Sequence, residues 1–526
     1  MKCKYNVISC NRSGIVKTDL GKNPLLQERK AQIAFFLYFL VTLVLMAFHE
    51  PWEDELQAWC IARDMSVPEI FHQMRYEGHF ALWYLLLKPL AFFCSEIALN
   101  LTSWLLVSAA VMLFLSFHRF GWWFKTAVLL SCPVLYWFPV VSRNYALIPL
   151  ALALLAVLYP VRLKRPWAYA FSLLLLVHSH AYMEGLAGIL GLFFGLDLIL
   201  HCRRMPGKEK GKVLGILLLL AAGVTAAYLQ VAPAFGASSF APSALSGVFS
   251  GWSGLPVRAW GVLMRLPGDF AEGVARFGGK GFAAGLFYLF LIAGVVQLFL
   301  SRGRAGIFFM AGFFWQVLFA ALIYPMALHR VYLPLLMLIF CFALPVRKKL
   351  LRKRTARQRK LILAMIPAGM LAVMSWPDTV HYAAADLLLP FSNQQQAAWF
   401  IRTNLPEKAK IVVFPASLIT GTFRAYLPER TFYRCSDGQP FRVFRTVEKM
   451  PEKLDAELLE KYMGNGSEVY LLFQMGAFLE YHFPTDSDRL EIGDFVMETV
   501  FCTFPKAFFP AGEDYALFRV TRRRNQ

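Results

Sequence analysis

The chain has 526 residues, of which 57% are hydrophobic and 17% charged, and its formal net charge is +20. This composition excludes a soluble globular protein, because several apolar runs approach the roughly 20 residues that cross a bilayer. The surplus of lysine and arginine does not indicate nucleic-acid binding, since these residues occur in short groups between apolar segments. The nine cysteines include no CxxC pair and no Cys/His cluster with metal-ligand spacing.

Residues 1–30 are polar and carry seven lysines and arginines, so they are predicted to form a cytoplasmic tail. Residues 31–375 are predicted to form a helical membrane domain. Eleven spans place every basic turn on one side, which the positive-inside rule assigns to the cytoplasm. The predicted spans are Ala31–Phe48, Ile97–Phe117, Trp122–Val141, Tyr145–Tyr159, Trp167–Ser179, Gly185–Leu200, Val213–Val231, Phe282–Leu300, Ile307–Tyr324, Val331–Leu344 and Leu361–Ser375.

An acidic segment, His49–Tyr84, follows the first span, and residues 49–78 are predicted to be an external loop. The adjacent acids Asp54 and Glu55 lie in an amphipathic, aromatic-rich stretch that is predicted to run along the membrane face. Partial burial there favours a carboxylate that acts as a base. The following run, Phe80–Phe93, must enter the membrane without crossing it if there are eleven spans; if it crosses, there are twelve.

The segment Ala232–Lys280 is rich in Gly, Ser and Pro at first and then amphipathic. It contains Trp252 and Trp260 and is predicted to include a helix at the membrane interface.

The composition changes at Trp376, and residues 376–526 are predicted to form a small extracytoplasmic α/β domain. The helix-like runs are NQQQAAWFIRTNL, LITGTFRAYL and KLDAELLEKYM, and the strand-like runs are KIVVFPA, TFYRC, EVYLLFQ, METVFCTF and DYALFRV. With no Gly-rich phosphate loop, this domain either covers the external site or binds an acceptor, or it is a structural cap. Cys435 and Cys502 could pair in an oxidising compartment, although their spacing does not establish a disulfide.

Ionisable side chains at a membrane edge are costly, so those predicted near the external face are candidates for function. They are Asp54, Glu55, Glu77, His79, Lys88, Arg143, His178, His180, Glu184, His329 and Arg330. In a purely structural interpretation, several of them snorkel or pair with one another. As a set they favour chemistry, because the carboxylates could activate a nucleophile while Arg143 and Arg330 hold a phosphate.

The run EPWEDELQAWCIARDM after the first span resembles the first external loop of GT-C-type glycosyltransferases. This polyprenyl-phosphate-sugar-dependent group includes protein O-mannosyltransferases and the lipid A aminoarabinose transferase. Asp54 and Glu55 match the acidic pair of that loop. EGHFALWYLLL, at Glu77–Leu87, is similar to the usual second motif EGHPPLWYLLL but has Phe80 and Ala81 in place of two prolines.

Two shorter elements carry the same resemblance. SRNYAL, at Ser142–Leu147, is similar to an external Arg-x-Tyr element, and LHRVYLP resembles a late-span Arg/His element. The resemblance implies a multi-pass GT-C-like fold of about 11 to 13 spans in the plasma (inner) membrane. It also implies transfer of a hexosyl or pentosyl group, usually with inversion, from a polyprenyl-phosphate donor to a glycolipid, polysaccharide or protein.

In this interpretation Asp54 is the base, and Glu55 or Glu77 orients the acceptor. Arg143 and Arg330 stabilise the departing phosphate, with Lys88 or His329 in support. His79, Tyr145 and His180 complete the predicted substrate-binding residues. A divalent cation, Mg²⁺ or Mn²⁺, could bind between Asp54 and Glu77, although no cofactor is required by the pattern.

Two other classes of membrane protein remain open. A secondary transporter would show internal repeats and broken helices at matched positions in two halves, and the sequence has no such pattern. A lipid-carrier flippase or polymerase without transferase activity is the closer alternative, but it would not specifically need an acidic pair on an external juxtamembrane helix.

Overall fold

A computed structural model describes residues 29–202, 207–231, 254–345, 365–414, 422–441, 451–475, 489–509 and 513–523. The protein is mainly helical, with one seven-stranded sheet near its C-terminus. Seven helices of the described part are long and apolar enough to cross a membrane. The predicted fold class, a multi-pass helical membrane protein with a C-terminal α/β domain, is therefore confirmed.

The membrane part consists mainly of apolar helices, together with a few short polar ones. They are α1 (Arg29–Phe48), α2 (Glu53–Asp64), α3 (Val67–Glu77), α4 (Leu82–Leu87), α5 (Ile97–Leu115), α6 (Trp122–Leu129), α7 (Pro133–Val140), α8 (Leu147–Leu158), α9 (Pro166–Val177), α10 (Glu184–Cys202), α11 (Gly207–Val231), α12 (Leu255–Phe270), α13 (Glu272–Gly278), α14 (Lys280–Arg302), α15 (Arg304–Leu322) and α16 (Leu333–Ala343).

An apolar helix occupies each of the first ten predicted spans, but not all of them have full membrane length. Helices α6 and α7 form a pair bent by 59°, and the bend occurs where Pro133 lacks the N–H that would continue the helical ladder. Pro166–Val177 and Leu328–Ala343 are shorter apolar helices. For the eleventh predicted span, residues 365–374 are helical and the preceding residues lie outside the described part.

The run Phe80–Phe93 does not cross the membrane. It contains α4, a helix of six residues, and one 3₁₀ turn at Leu90–Phe92. Six helical residues extend about 9 Å, far less than the roughly 30 Å of a hydrocarbon core. The helix is therefore too short to span the bilayer, which agrees with the eleven-span arrangement.

Helix α12 has one apolar face packed against the protein and a second apolar face that is exposed, as expected of a helix at the membrane interface. Val262 packs with Val317 and Ala321 of α15, whereas Val257 and Trp260 point away from the protein and are 75% and 61% exposed. A large apolar face without protein contacts suits the boundary between headgroups and acyl chains. The other predicted tryptophan, at position 252, lies outside the described residues.

The C-terminal sheet has the strand order β3-β2-β1-β4-β7-β6-β5. Strand β1 is parallel to β2 and β4, and the other neighbours are antiparallel. The strands are β1 (Ile411–Phe414), β2 (Phe432–Arg434), β3 (Pro440–Phe441), β4 (Glu468–Gln474), β5 (Arg489–Ile492), β6 (Phe495–Cys502) and β7 (Tyr515–Arg522). The remaining helices are α17 (Trp376–Leu388), α18 (Gln394–Asn404) and α19 (Ala456–Met463).

Both faces of the sheet are covered, which explains why its central strands are continuously apolar. Val412 and Phe414 pack with the residues of α19, and the alternate residues Ile411 and Val413 pack with those of α18. The five strand-like runs and two of the helix-like runs lie at strands and helices. Strands β3 and β5 were not predicted, and the described part of LITGTFRAYL is a 3₁₀ turn at Thr422–Ala425.

The sheet order separates the two cysteines that could have paired. Cys435 follows β2 and is buried, whereas Cys502 ends β6 and is exposed. Strands β1, β4 and β7 lie between them. Four inter-strand steps amount to about 19 Å, whereas the Cα atoms of a disulfide lie within about 7 Å of each other.

Helix α17 belongs by its contacts to the membrane domain rather than to the sheet. Trp376 and Tyr382 pack against the large core cluster of the membrane helices, and the Trp376 indole donates to the carbonyl of Ala127 at 3.1 Å. The sheet and its own helices begin after Ser392. The change in composition at Trp376 thus precedes the start of the sheet by one helix.

We expect Gly185→Ala to destabilise the helical bundle. A Cβ atom at Gly185 of α10 would lie 2.2 Å from the Cβ of Trp315 on α15, so these helices must move apart, at a cost of about 1–3 kcal/mol. Thermal unfolding in detergent, followed by size-exclusion fluorescence, should report a lower melting temperature. The control is Gly188→Ala on the same helix, where a Cβ would meet no atom within 4 Å. Equal melting temperatures for the two variants would contradict the α10–α15 contact.

Candidate functional site

Glu55 holds helix α2 against the end of the bundle. Its side chain is completely buried. One carboxylate oxygen, Oε2, accepts from the backbone N–H of Trp52 at 3.1 Å and lies 3.0 Å from Nε2 of His49. The other oxygen, Oε1, accepts from the backbone N–H of Ser142. All of these contacts are with protein atoms, so Glu55 is placed to position α2.

His49 connects Glu55 to a second buried carboxylate. Its Nδ1 lies 2.9 Å from Oδ2 of Asp386 in α17, and the hydroxyl of Tyr136 donates to the same oxygen at 2.9 Å. Burial alone would lower the pKa of His49, but the charges of Asp386 and Glu55 outweigh it and raise the pKa to about 10. The imidazole is therefore protonated at neutral pH and donates to both carboxylates.

Asp54 points to a different side of α2 and forms an ion pair with Arg143. Its side chain remains 28% exposed, whereas that of Arg143 is 10% exposed. The other terminal nitrogen of Arg143, Nη2, donates to Nε2 of His79 at 3.2 Å. The resulting row of Asp54, Arg143 and His79 places an accessible carboxylate beside a buried cation.

His79 acts as a neutral acceptor in this row. Its Nδ1 donates to the backbone carbonyl of Glu77 at 2.6 Å, which leaves Nε2 to accept from Arg143. Burial and the charge of Arg143 lower the pKa of His79 to about 4. The imidazole therefore adds no positive charge near neutral pH.

Tyr145, His180 and His329 form an aromatic wall next to Arg143. The Tyr145 hydroxyl lies 2.9 Å from Nε2 of His180, and its ring centroid lies 4.5 Å from that of His180 and 4.1 Å from that of His329. Nδ1 of His180 accepts from the backbone N–H of Tyr182 at 3.1 Å, so Nε2 carries the proton in the neutral ring. Nε2 of His329 is buried and has no hydrogen-bond partner in the described part of the chain.

Arg330 is a buried cation that has no carboxylate partner in the described part of the chain. The residue is 7% exposed, and its guanidinium carbon lies 4.4 Å from the ring centroid of Tyr324. It hydrogen-bonds the hydroxyl of Tyr145, but its Nε has no partner, and no described Asp or Glu lies within 4.0 Å of it. A buried charge in this state is costly, which makes the position suitable for an anion.

Glu77 lies close to this group but is occupied by amide donors. Its Oε1 accepts from Gln57 at 3.2 Å and from Gln73 at 2.8 Å. Burial raises the pKa of Glu77 to about 7. No set of three or more His, Cys, Asp or Glu side chains in the described residues is arranged to hold a metal ion. Asp54 is paired with Arg143 in this structure, and a Mg²⁺ or Mn²⁺ site between Asp54 and Glu77 stays a prediction.

Lys88 lies at the far end of α2. Its ammonium donates to the carbonyls of Ala62, at 3.1 Å, and Met65. A cation on the last carbonyls of a helix offsets the negative end of the helix dipole. Lys88 is thus placed to stabilise α2 and is not brought together with Arg143 and Arg330.

Two further candidates, His178 and Glu184, also lie apart from the residues around Arg143. His178 packs edge-on against Phe80, with ring centroids 5.8 Å apart, and hydrogen-bonds the backbone of Gly223. Glu184 begins α10. The described part of the chain has no hydrogen bond or ion pair from either residue to the group around Arg143.

The C-terminal domain contributes a residue that sequence reasoning missed. Glu513, just before β7, is completely buried and accepts the backbone N–H of Glu53 at 2.9 Å on Oε1. It therefore caps the first turn of α2, the helix that carries Asp54. Burial raises the pKa of Glu513 to about 8. The sequence held no signal for this contact, because Glu53 and Glu513 lie 460 positions apart.

One ion pair, one hydrogen bond and an aromatic contact extend the interface between the sheet domain and α2. At the end of α2, Arg63 donates to the backbone carbonyl of Arg424 at 2.9 Å. The neighbouring Asp64 forms an ion pair with the Arg424 guanidinium at 3.3 Å. At the other end, the rings of Trp52 and Phe509 lie 4.6 Å apart. The sheet domain thus covers α2 along its length.

Comparison with solved structures shows a likeness to a membrane protein. No protein-family model matches the chain, and no curated protein matches it. The chain is similar to the crystal structure of ArnT from Cupriavidus metallidurans bound to undecaprenyl phosphate, with 14% identity and a TM-score of 0.48, over 93% of this chain and 97% of that one. The case for function therefore rests on the side chains described above.

We expect His49 to make stability depend on alkaline pH. A histidine whose pKa is raised from 6.5 to about 10 on folding contributes stability that is complete below pH 6.5 and is lost as the pH rises towards 10. The melting temperature of the parent should therefore fall across this range, and His49→Gln should flatten that fall while lowering stability at pH 6.5. His118→Gln, at an exposed histidine, should follow the parent. An unchanged pH profile in His49→Gln would contradict the charged contact.

Proposed function

We propose that this protein is an integral-membrane glycosyltransferase that moves a sugar from a polyprenyl-phosphate-linked donor to a hydroxyl acceptor. The acceptor is a glycolipid, a polysaccharide or a protein. The observation that carries the proposal is that a buried Arg330, with no carboxylate partner among the described residues, lies in the same group as the accessible Asp54 and its partner Arg143. One site thus combines an anion-binding cation and a base.

Arg330 is suited to the donor phosphate. Its Nε is buried without a partner, and the described residues offer it no carboxylate. A phosphate oxygen at this position would neutralise the charge and accept the free N–H, which is a strong interaction in a dry site. His329, with its own partnerless Nε2, lies beside it and can donate or accept a further hydrogen bond.

Arg143 links the phosphate to the base. It forms an ion pair with Asp54, so a phosphate oxygen that binds Arg143 would compete with the carboxylate for the same guanidinium. The competition weakens the hold on Asp54 and makes its oxygen available to an acceptor hydroxyl. Donor binding would in this way free Asp54 to act as the base. Before the donor binds, Arg143 neutralises the charge of Asp54.

The chemical step follows from these positions. The acceptor oxygen attacks the anomeric carbon, its proton passes to Asp54, and the bond between that carbon and the phosphate oxygen breaks. The phosphate leaves as an anion on Arg143 and Arg330, so it needs no protonation. Attack from the face opposite to the leaving group inverts the anomeric centre.

The other predicted residues have supporting positions in this scheme. Glu55 fixes α2 through His49 and Ser142, and His79 orients Arg143. Tyr145 and His180 stack on each other and support Arg330, which hydrogen-bonds the Tyr145 hydroxyl. Glu77, with a pKa raised to about 7 by burial, can bind a sugar hydroxyl as donor or acceptor.

The distribution of charge supports an extracytoplasmic site in the inner membrane. The helix α8 begins next to Arg143 and ends near Arg162, and α16 begins after Arg330 and ends near the basic run 347–360. The basic turns are thus at the end of the bundle opposite to the site, and the positive-inside rule places that end in the cytoplasm. The sheet domain, which covers α2, is on the same side as the site.

We expect Asp54→Asn to abolish most transfer while the donor still binds. The amide keeps the shape of the side chain but cannot take the proton, so turnover should fall by about 10²- to 10⁴-fold. The assay is transfer from a purified polyprenyl-phosphate sugar in liposomes at equal amounts of folded protein.

The matched control is Glu53→Gln on the same helix. Adjacent residues of a helix point about 100° apart, so Glu53→Gln should leave the ion pair of Asp54 with Arg143 in place and retain turnover. Full activity in Asp54→Asn would remove this residue from the chemistry. If the parent binds the donor but transfers its sugar to none of a panel of acceptors, the result would favour a lipid-carrier flippase, polymerase or transporter.

We expect Arg330→Lys to impair donor use although the charge is kept. Lysine cannot supply the planar pair of N–H groups that grips two phosphate oxygens, so the KM for the donor should rise by about tenfold or more. Arg143→Lys should lower turnover as well, because it also disturbs Asp54. The control is Arg276→Lys, an exposed arginine paired with Glu272. Unchanged kinetics in both site variants would place the phosphate elsewhere.

A further inference from the structure

A second group of arginines lies at the end of the helical bundle opposite to Arg143 and Arg330. The chain runs from Arg143 through α8 to Arg162, over about 19 residues or about 28 Å of helix. This length is close to the roughly 30 Å hydrocarbon core of a bilayer. The two groups of arginines therefore belong to opposite faces of the membrane.

These arginines surround a pocket of about 350 Å³. Arg162, Arg302 and Arg304 line it, together with Tyr159 and apolar residues that include Leu344. Its size is within the range of about 300 to 1,000 Å³ that is usual for small-molecule sites. The pocket is thus large enough for a phosphate group with part of the molecule that carries it.

Arg302 gives the pocket a buried cation that protein atoms only partly satisfy. The residue is 4% exposed. Its Nε donates to the carbonyl of Leu344 at 3.1 Å, and Nη1 donates to the hydroxyl of Ser301 at 3.0 Å. Nη2 is buried without a partner, and no described carboxylate lies within 4.0 Å. Desolvating this charge without an anion is costly.

The other charges around the pocket leave a positive excess. Arg162 donates to Oδ2 of Asp197 at 2.5 Å and 3.1 Å, and Arg304 lies 3.6 Å from Oδ1 of the same carboxylate. One acid thus stands against three pocket arginines, and Arg119 adds a further nearby cation that binds the carbonyl of Ala343. The sequence 346–364, which follows the pocket residue Pro345, contains nine lysines and arginines and no acid.

We propose that this pocket binds a phosphate group, either on a lipid or as the free ion, at the membrane face opposite to the candidate active site. The partnerless Nη2 of Arg302 and the solvent-facing Arg304, whose side chain is 56% exposed, donate to the phosphate oxygens. An anionic lipid headgroup and free inorganic phosphate share this chemistry. The apolar part of the lining, represented by Leu344, is the feature that a lipid would use and a free ion would not.

The full chain, purified in a neutral detergent and stripped of lipid, is the protein to test. Native mass spectrometry and thermal unfolding would measure three probes: dioleoyl phosphatidic acid, dioleoylglycerol with the same chains and no phosphate, and inorganic phosphate. The variants are Arg302→Gln, Arg302→Lys and Arg304→Gln. The matched control is Arg165→Gln, an exposed arginine near Arg162 that does not line the pocket.

The expected result is that phosphatidic acid binds the parent and raises its melting temperature, whereas dioleoylglycerol does neither. Arg302→Gln and Arg304→Gln should each weaken this binding by about tenfold or more, the usual loss for a charge-assisted hydrogen bond. Arg302→Lys should retain part of it, and Arg165→Gln should match the parent. The site at Arg143 and Arg330 is intact in all variants. The pocket variants should therefore lose one bound lipid molecule per protein and keep any lipid that binds at that other site.

Inorganic phosphate distinguishes the two sources. Stabilisation by phosphatidic acid alone assigns the pocket to a lipid headgroup, and equal stabilisation by phosphate assigns it to the free ion. The proposal is overturned if dioleoylglycerol binds as well as phosphatidic acid. It is also overturned if the folded pocket variants bind both phosphate probes as tightly as Arg165→Gln, or if the variants lose stability without any change in the ligand-induced shift.

Discussion

The protonated His49, held between Glu55 and Asp386, is the contact on which the site depends. Its two ring nitrogens lie 3.0 Å and 2.9 Å from the two carboxylates, and all three side chains are buried. It joins the end of the first span, the start of α2 and helix α17, although His49 and Asp386 are 337 positions apart. Removing the proton leaves one buried carboxylate without its donor, which is expensive in a dry environment.

The fixed position of α2 separates the roles of two adjacent acids. Neighbouring residues of a helix point about 100° apart, so Glu55 faces inward to His49 while Asp54 faces Arg143. The sheet domain holds the same helix from the other side, through Glu513 at its first turn and Arg424 at its last. A domain that could have been only a cap is therefore coupled to the position of the proposed base.

Each end of the bundle contains a buried arginine in a similar electrostatic environment. Arg330 near one face and Arg302 near the other are both buried, and neither has a carboxylate partner among the described residues. Burying such a charge destabilises the protein unless an anion compensates for it. Phosphate groups are present at both faces of a membrane, and the helices α8 and α16 connect the two regions directly.

The sequence by itself determined the class of protein, most apolar helices and five of the seven strands, because hydrophobic length and periodicity act locally. It also selected Asp54, Glu77, His79, Arg143, Tyr145, His180, His329 and Arg330, which the fold brings to one end of the bundle. Local pattern could not tell that Lys88 caps α2 or that Glu55 faces inward. It also gave no sign of His49, Asp386 and Glu513, whose contacts span hundreds of residues and exist only once the helices and the sheet have packed.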